Sequence, residues 1–147
     1  MKNIIFVCTG NTCRSPMAEV LGLDIFRKLE LNVAVKSRGV AVFGRGCAAA
    51  NACDAVKKYG LNLDNHTAAQ ISDEDMAWAD VILTMTNSHK KILQDGYANY
   101  SEKIFTLKEF GGDSGDIADP FGMDLDSYEW CLEEMKISID AVGAKLK

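Results

Sequence analysis

Short apolar runs alternate along this chain with segments in which apolar residues recur every three or four positions. Such alternation predicts strands followed by amphipathic helices, which assemble as a parallel sheet covered by helices. The first run, residues 3–7, reads as a strand. It is followed by Met17, Leu21, Ile25 and Leu29 at four-residue intervals, one face of a helix. Val33 and Val35 alternate ahead of Ser37 in a second strand-like stretch. A second helix is predicted over residues 48–59, stopping at Gly60, a residue suited to a helix C-terminus. Ser72, three residues before Asp75, has the form of an N-terminal cap for a short helix, and a strand over residues 80–84 follows. A short helix near 88–93 and a strand near 103–107 come next. The last helix starts near Asp124 or Asp126 and carries Leu132, Met135, Ile139, Val142 and Leu146 at spacings of three and four. The expected fold is α/β: an open, mostly four-stranded parallel sheet with helices on both faces.

Residues 108–123 are rich in Gly and Asp and show no apolar period, so they are expected to form a long loop beyond the end of a strand. In an open parallel sheet every strand delivers its following loop to the same edge, where ligands bind. That geometry lets Cys8, Ser37 and the loop carrying Asp119 meet.

Composition narrows the picture. With 147 residues, 48% of them hydrophobic, the chain fits one domain over residues 1–147 with a sizeable core. A net charge of −5 and no Lys/Arg run argue against nucleic-acid binding. No apolar stretch approaches a membrane span and the N-terminus does not read as a signal peptide, so a cytoplasmic location is expected. Five scattered cysteines, an odd number, suggest reduced thiols rather than a disulfide framework, and none has zinc-like spacing. Neither a metal nor a cofactor is expected.

The chemistry concentrates between the first strand and the first helix, in Val7-Cys8-Thr9-Gly10-Asn11-Thr12-Cys13-Arg14-Ser15-Pro16. Cys8 and Arg14 end a C-x5-R spacing that lets a tight loop curl until thiol and guanidinium face one tetrahedral anion. Gly10 and Asn11 tolerate left-handed backbone, which lets the loop turn its N–H groups inward as an anion nest. Pro16 suits the first position of a helix with Ser15 as its cap, and the helix N-terminus adds its dipole to the site.

The run from Cys8 to Glu19 at the N-terminus, together with Asp119-Pro120 late in the chain, resembles the low-molecular-weight phosphotyrosine phosphatase family over nearly the whole length. Ser37-Arg38-Gly39, His66, residues 80–85 and residues 105–109 are weaker echoes, and Arg38 stands where the family usually has Ala. Thr12, where the tyrosine phosphatases usually carry Ile, and Phe121-Gly122, where they often carry a tyrosine pair, look like the bacterial protein arginine phosphatase branch. The resemblance implies a phosphatase acting on phosphorylated proteins, phosphoarginine in preference to phosphotyrosine. Arsenate reductase and a non-catalytic phosphate-binding module are the competing readings; the former needs late resolving cysteines, and only Cys131 is placed for that.

The resemblance gives roles to particular residues. Cys8 is the expected nucleophile, a thiolate favoured by the helix N-terminus and Arg14, which attacks phosphorus to give a phosphocysteine. Arg14 holds two phosphoryl oxygens with its planar fork, and the loop N–H groups from Thr9 through Ser15 hold the rest. Ser15 either donates to the Cys8 thiolate or only caps the helix. Asp119 is the general acid, a carboxylate for a substrate guanidinium, or a turn residue before Pro120. Thr12 either makes the pocket wall more polar or merely shapes the loop, and Phe121 either stacks on a guanidinium or packs the loop. Asn11, Ser37 and His66 are expected to hydrogen-bond behind the loop. Cys13 either forms a reversible disulfide with Cys8 or packs. Cys47, Cys53 and Cys131 are expected to be buried.

Overall fold

The first strand sorts its side chains onto two sides. Ile4, Phe6 and Cys8 belong to one buried apolar cluster, whereas Ile5 and Val7 belong to another. This is the period-two pleat of a strand covered on both faces. In the computed structural model, which describes residues 2–147, this strand is β1 (Lys2–Cys8). It lies inside a parallel sheet with β2 (Val33–Gly39), β3 (Val81–Thr84) and β4 (Ile104–Thr106), in the order β2-β1-β3-β4. The switch in strand order falls beside β1, where an open α/β sheet presents its ligand crevice.

The larger cluster is closed by α1 (Arg14–Lys28), α2 (Ala50–Lys57) and α6 (Leu125–Leu146). Met17, Leu21, Ile25, Leu132, Met135, Ile139 and Val142 all lie in it, as their spacing predicts. The smaller one takes Met76 from α3 (Asp73–Trp78) and Leu93 from α4 (Asn87–Gly96). Helices therefore cover both faces. Among the described residues no helix is long and apolar enough to cross a membrane.

Local chemistry explains most boundaries. Ser72 and Asp75 form a reciprocal capping box, and Gly60 takes the left-handed φ of +73° after α2. Other boundaries differ from the sequence pattern. Thr106 caps a helical turn, α5 (Leu107–Phe110), through a second capping box with Glu109, so the supposed loop begins later and β4 ends sooner. The residues before β4, Ala98–Lys103, form a 3-10 helix. Helix α4 starts at Asn87 because Thr86 accepts the His89 N–H as its cap. At α1 the cap is Cys13, without a side-chain hydrogen bond; Ser15 and Pro16 are the second and third helical residues. Pro16 still costs nothing there, since the first four helical N–H groups lack intrahelical partners. Its predecessor Ser15 is thereby freed for other work.

Candidate active site

Cys8 ends β1 and the loop from Thr9 to Cys13 bends directly into α1. The bend depends on Asn11, which has φ +57°; of the two residues that tolerate left-handed backbone, Gly10 does not adopt it. Carbonyls of the loop are drawn outward. Those of Cys8, Thr9 and Thr12 accept from the N–H groups of Val40, Ala41 and Ala49 at 2.8–3.0 Å, and that of Asn11 accepts from His66 Nε2 at 2.8 Å. No protein group among the described residues accepts from the N–H groups of Thr9 through Cys13. The loop thus turns donors inward and acceptors outward, an arrangement suited to an anion.

A buried polar string holds this shape. Asn11 Nδ2 donates to Ser15 Oγ at 2.8 Å and to Ser37 Oγ at 3.0 Å, while Oδ1 accepts from the Ala69 N–H at 3.0 Å. Ser37 in turn donates to Glu19 at 2.5 Å. Ser15 Oγ lies 2.9 Å from Cys8 Sγ and 3.3 Å from the Arg38 carbonyl, so its proton has the sulfur within reach. Asn11 and Ser15 are therefore fully buried supports behind the loop, and their side chains do not line the pocket. Arg38 fills its unusual position by pairing with Asp75 at 2.9 Å, tying β2 to α3.

Close approach makes Gly39 part of the same support. A Cβ there would sit 2.5 Å from the Thr9 carbonyl oxygen, 2.6 Å from Val42 and 3.1 Å from the Asn11 nitrogen. Gly39→Ala is expected to destabilise the fold by ~1–3 kcal/mol through overpacking. It is also expected to lower kcat/KM about 10-fold or more by displacing the loop. Thermal unfolding and initial rates test both; native rates in the variant would show that the loop absorbs the methyl group.

Arg14 is buried and reaches across to the loop before α6. Its Nη1 donates to the Ile117 carbonyl at 2.9 Å, and Nη2 lies 3.6 Å from Asp119 Oδ2. Asp119 Oδ1 accepts from the Phe121 N–H at 3.1 Å, so one carboxylate oxygen builds the turn and the other faces the guanidinium. Its side chain is 55% exposed. The loop itself is pinned by Ile117 N–H to the Met85 carbonyl and by Asn87 N–H to Asp116, both at 2.8 Å.

Together these elements enclose a cavity of about 300 Å³ lined by Cys8, Thr9, Gly10, Thr12, Cys13, Arg14, Ala41, Phe43, Asp119 and Phe121. Ser37 and His66 stand behind it, on Asn11. The sequence pattern did not point to Phe43 or Ala41, which complete the wall, nor to His89, Tyr128 and Glu19. His89 lies between Thr9 and Thr86, at 2.8 and 3.0 Å. The Thr86 cap three residues ahead of it was the signal available. Cys13 is held by the Tyr128 hydroxyl at 3.3 Å, and burial raises its thiol pKa against that hydrogen bond. Burial pushes the Cys131 thiol up to about 12, which leaves it protonated and a poor resolving nucleophile. Cys47 is exposed and Cys53 half-buried, contrary to expectation: Cys47 precedes α2, and Cys53, within α2, only borders the larger apolar cluster.

The comparisons with known proteins agree with this geometry. The profile of the low molecular weight phosphotyrosine protein phosphatases matches residues 3–147. A protein-arginine-phosphatase of Bacillus subtilis (strain 168) is 42% identical over 146 residues, covering 99% of this chain and 97% of that one. A structure of the arginine phosphatase YwlE, with its active-site cysteine replaced by a phosphorylated serine, superposes with a TM-score of 0.94 at 40% identity; it covers 98% of this chain and 95% of that one. A low molecular weight protein tyrosine phosphatase from T. tengcongensis gives 0.95 at 40% identity, with 99% of both chains covered. A cysteine at a strand end, a donor-lined loop running into a helix, and a family profile spanning almost every residue lead to one conclusion: this chain belongs to the low molecular weight phosphotyrosine protein phosphatase family.

Proposed function

We propose that the chain is a protein arginine phosphatase that hydrolyses phosphoarginine in proteins through a phosphocysteine intermediate. The observation that carries the proposal is the convergence of Cys8, Arg14 and Asp119 on one cavity whose wall includes Thr12. In the first step the Cys8 thiolate attacks phosphorus and the phosphorus–nitrogen bond breaks. The departing guanidine nitrogen takes a proton from Asp119, the acidic group at the cavity rim beside Arg14. In the second step water attacks phosphorus and gives a proton back to Asp119, the phosphorus–sulfur bond breaks, and the Ser15 hydroxyl hydrogen-bonds the returning thiolate. Arg14 and the loop N–H groups hold the phosphoryl oxygens throughout, which is where the charge develops.

Thr12 directs the choice of substrate. Its hydroxyl gives a guanidinium a partner that Ile would not, while removing apolar surface from an aromatic ring. Thr12→Ile is expected to shift the phosphoarginine to phosphotyrosine ratio of kcat/KM toward phosphotyrosine by about 10-fold or more. Matched phosphopeptides measure it, and an unchanged ratio removes Thr12 from the argument. The same assay on the native chain tests the function: a clear preference for phosphotyrosine overturns it. Phosphotyrosine is the second reading, favoured by the aromatic rim of Phe43 and Phe121.

A further inference from the structure

His89 is buried on α4, yet both ring nitrogens are engaged: Nε2 lies 2.8 Å from Thr9 Oγ1 and Nδ1 3.0 Å from Thr86 Oγ1. Burial first, and then the Arg14 guanidinium, lower its pKa to about 4, against the opposing pull of Asp116 and Asp119. The ring is therefore neutral near pH 7, with one nitrogen donating and the other accepting. Thr86 Oγ1 already accepts the His89 backbone N–H as the cap of α4. Giving its own proton to Nδ1 lets the Thr86 hydroxyl accept once and donate once. Nε2 is then the donor to Thr9.

The consequence reaches the cavity. Thr9 Oγ1, accepting from Nε2, keeps its own proton free, and it has no other protein partner among the described residues. Thr9 lines the pocket with Cys8 and Arg14. We propose that His89 is a positioning residue, holding Thr9 with its hydroxyl proton turned into the anion pocket as a side-chain donor beside the loop N–H groups and Arg14. The inference rests only on the loop being an anion site, not on which phosphorylated residue occupies it. A string of three groups from two elements thus presets one donor before any ligand arrives, which limits the reorganisation needed on binding.

The test is a double-mutant cycle on the full chain, read as kcat/KM for p-nitrophenyl phosphate and as inhibition by inorganic phosphate. Thr9→Val and His89→Leu are each expected to lower kcat/KM and raise the phosphate inhibition constant about 10-fold. The double variant should be no worse than either single one, since His89 acts through Thr9. His89→Gln, whose amide can still donate to Thr9, should recover to within about threefold of native. Losses that multiply in the double variant overturn the proposal, as do native constants in folded His89→Leu. Should His89→Leu fail to fold, His89→Phe, which keeps a ring and removes both nitrogens, takes its place in the cycle: a Thr9→Val loss that disappears in that background supports coupling through Thr9, and a loss of equal size in both backgrounds overturns it. Both readouts avoid phosphoguanidino substrates, so failure on phosphoarginine would overturn the function proposed above and leave this cycle to its own result.

Discussion

Cys8→Ser is expected to reduce phosphate release by about 10⁴-fold or more while leaving the affinity for inorganic phosphate within about threefold of native. Serine has the shape of cysteine with a smaller terminal atom and so introduces no clash, and the substitution leaves the outward-bonded loop carbonyls, the Asn11 string and Arg14 in place. What it removes is the thiolate: a serine hydroxyl stays protonated near neutral pH and attacks phosphorus far more slowly. Any phosphoryl group that does transfer would form an oxygen ester with a poorer leaving group, so phosphate should accumulate on the variant and be visible by mass spectrometry. Phosphate release measured beside phosphate binding separates the alternatives. Unchanged release would remove Cys8 from the chemistry. Binding without release in both the native chain and the variant would make the chain a phosphate-binding module.

Arg14→Lys comes second in size, with kcat expected to fall ~10²–10³-fold. The guanidinium has five N–H donors in a rigid fork, and two directions are already committed, to the Ile117 carbonyl and to Asp119. The remaining donors can serve a phosphoryl group at the same time. A lysine ammonium offers three donors from one point and cannot span carbonyl, carboxylate and anion together. The variant should lose rate and stability in parallel, because the Ile117 carbonyl is left with a poorer partner in a buried site. A charge-only role for Arg14 would instead leave kcat within about threefold of native, as measured under saturating substrate.

Cys8, Arg14 and Asp119 were legible in the sequence for different reasons. Cys8 and Arg14 share one short loop whose spacing alone brings them together, whereas Asp119 is 111 positions from Cys8 and meets it only because parallel strands send their loops to one edge. The sheet and its helices followed from period-two and period-3.6 patterns that carry straight through to the two apolar clusters. Of the two roles open to Ser15, the sulfur contact holds and the cap does not, since α1 begins one residue earlier; the Asn11 amide that donates to the same hydroxyl has no local sequence signal. The Ile117 carbonyl left no trace at all, since a backbone acceptor has no residue type. His89 was hidden in another way: its partners are Thr9, from a different element, and Thr86, the cap of a helix expected only from about residue 88 and given no cap.

The position of β1 between β2 and β3 has a consequence for how the molecule breathes. A strand hydrogen-bonded on both edges and covered on both faces exchanges its amide hydrogens only when the whole domain opens. Cys8 is rooted in that strand. Asp119, more than half exposed, belongs instead to a turn outside the sheet, two residues beyond the buried Ile117 that anchors it. The two halves of the site are therefore held by different means: the phosphate cradle by the sheet itself, and the acidic turn by single hydrogen bonds that join residues 116 and 117 to Asn87, Met85 and Arg14.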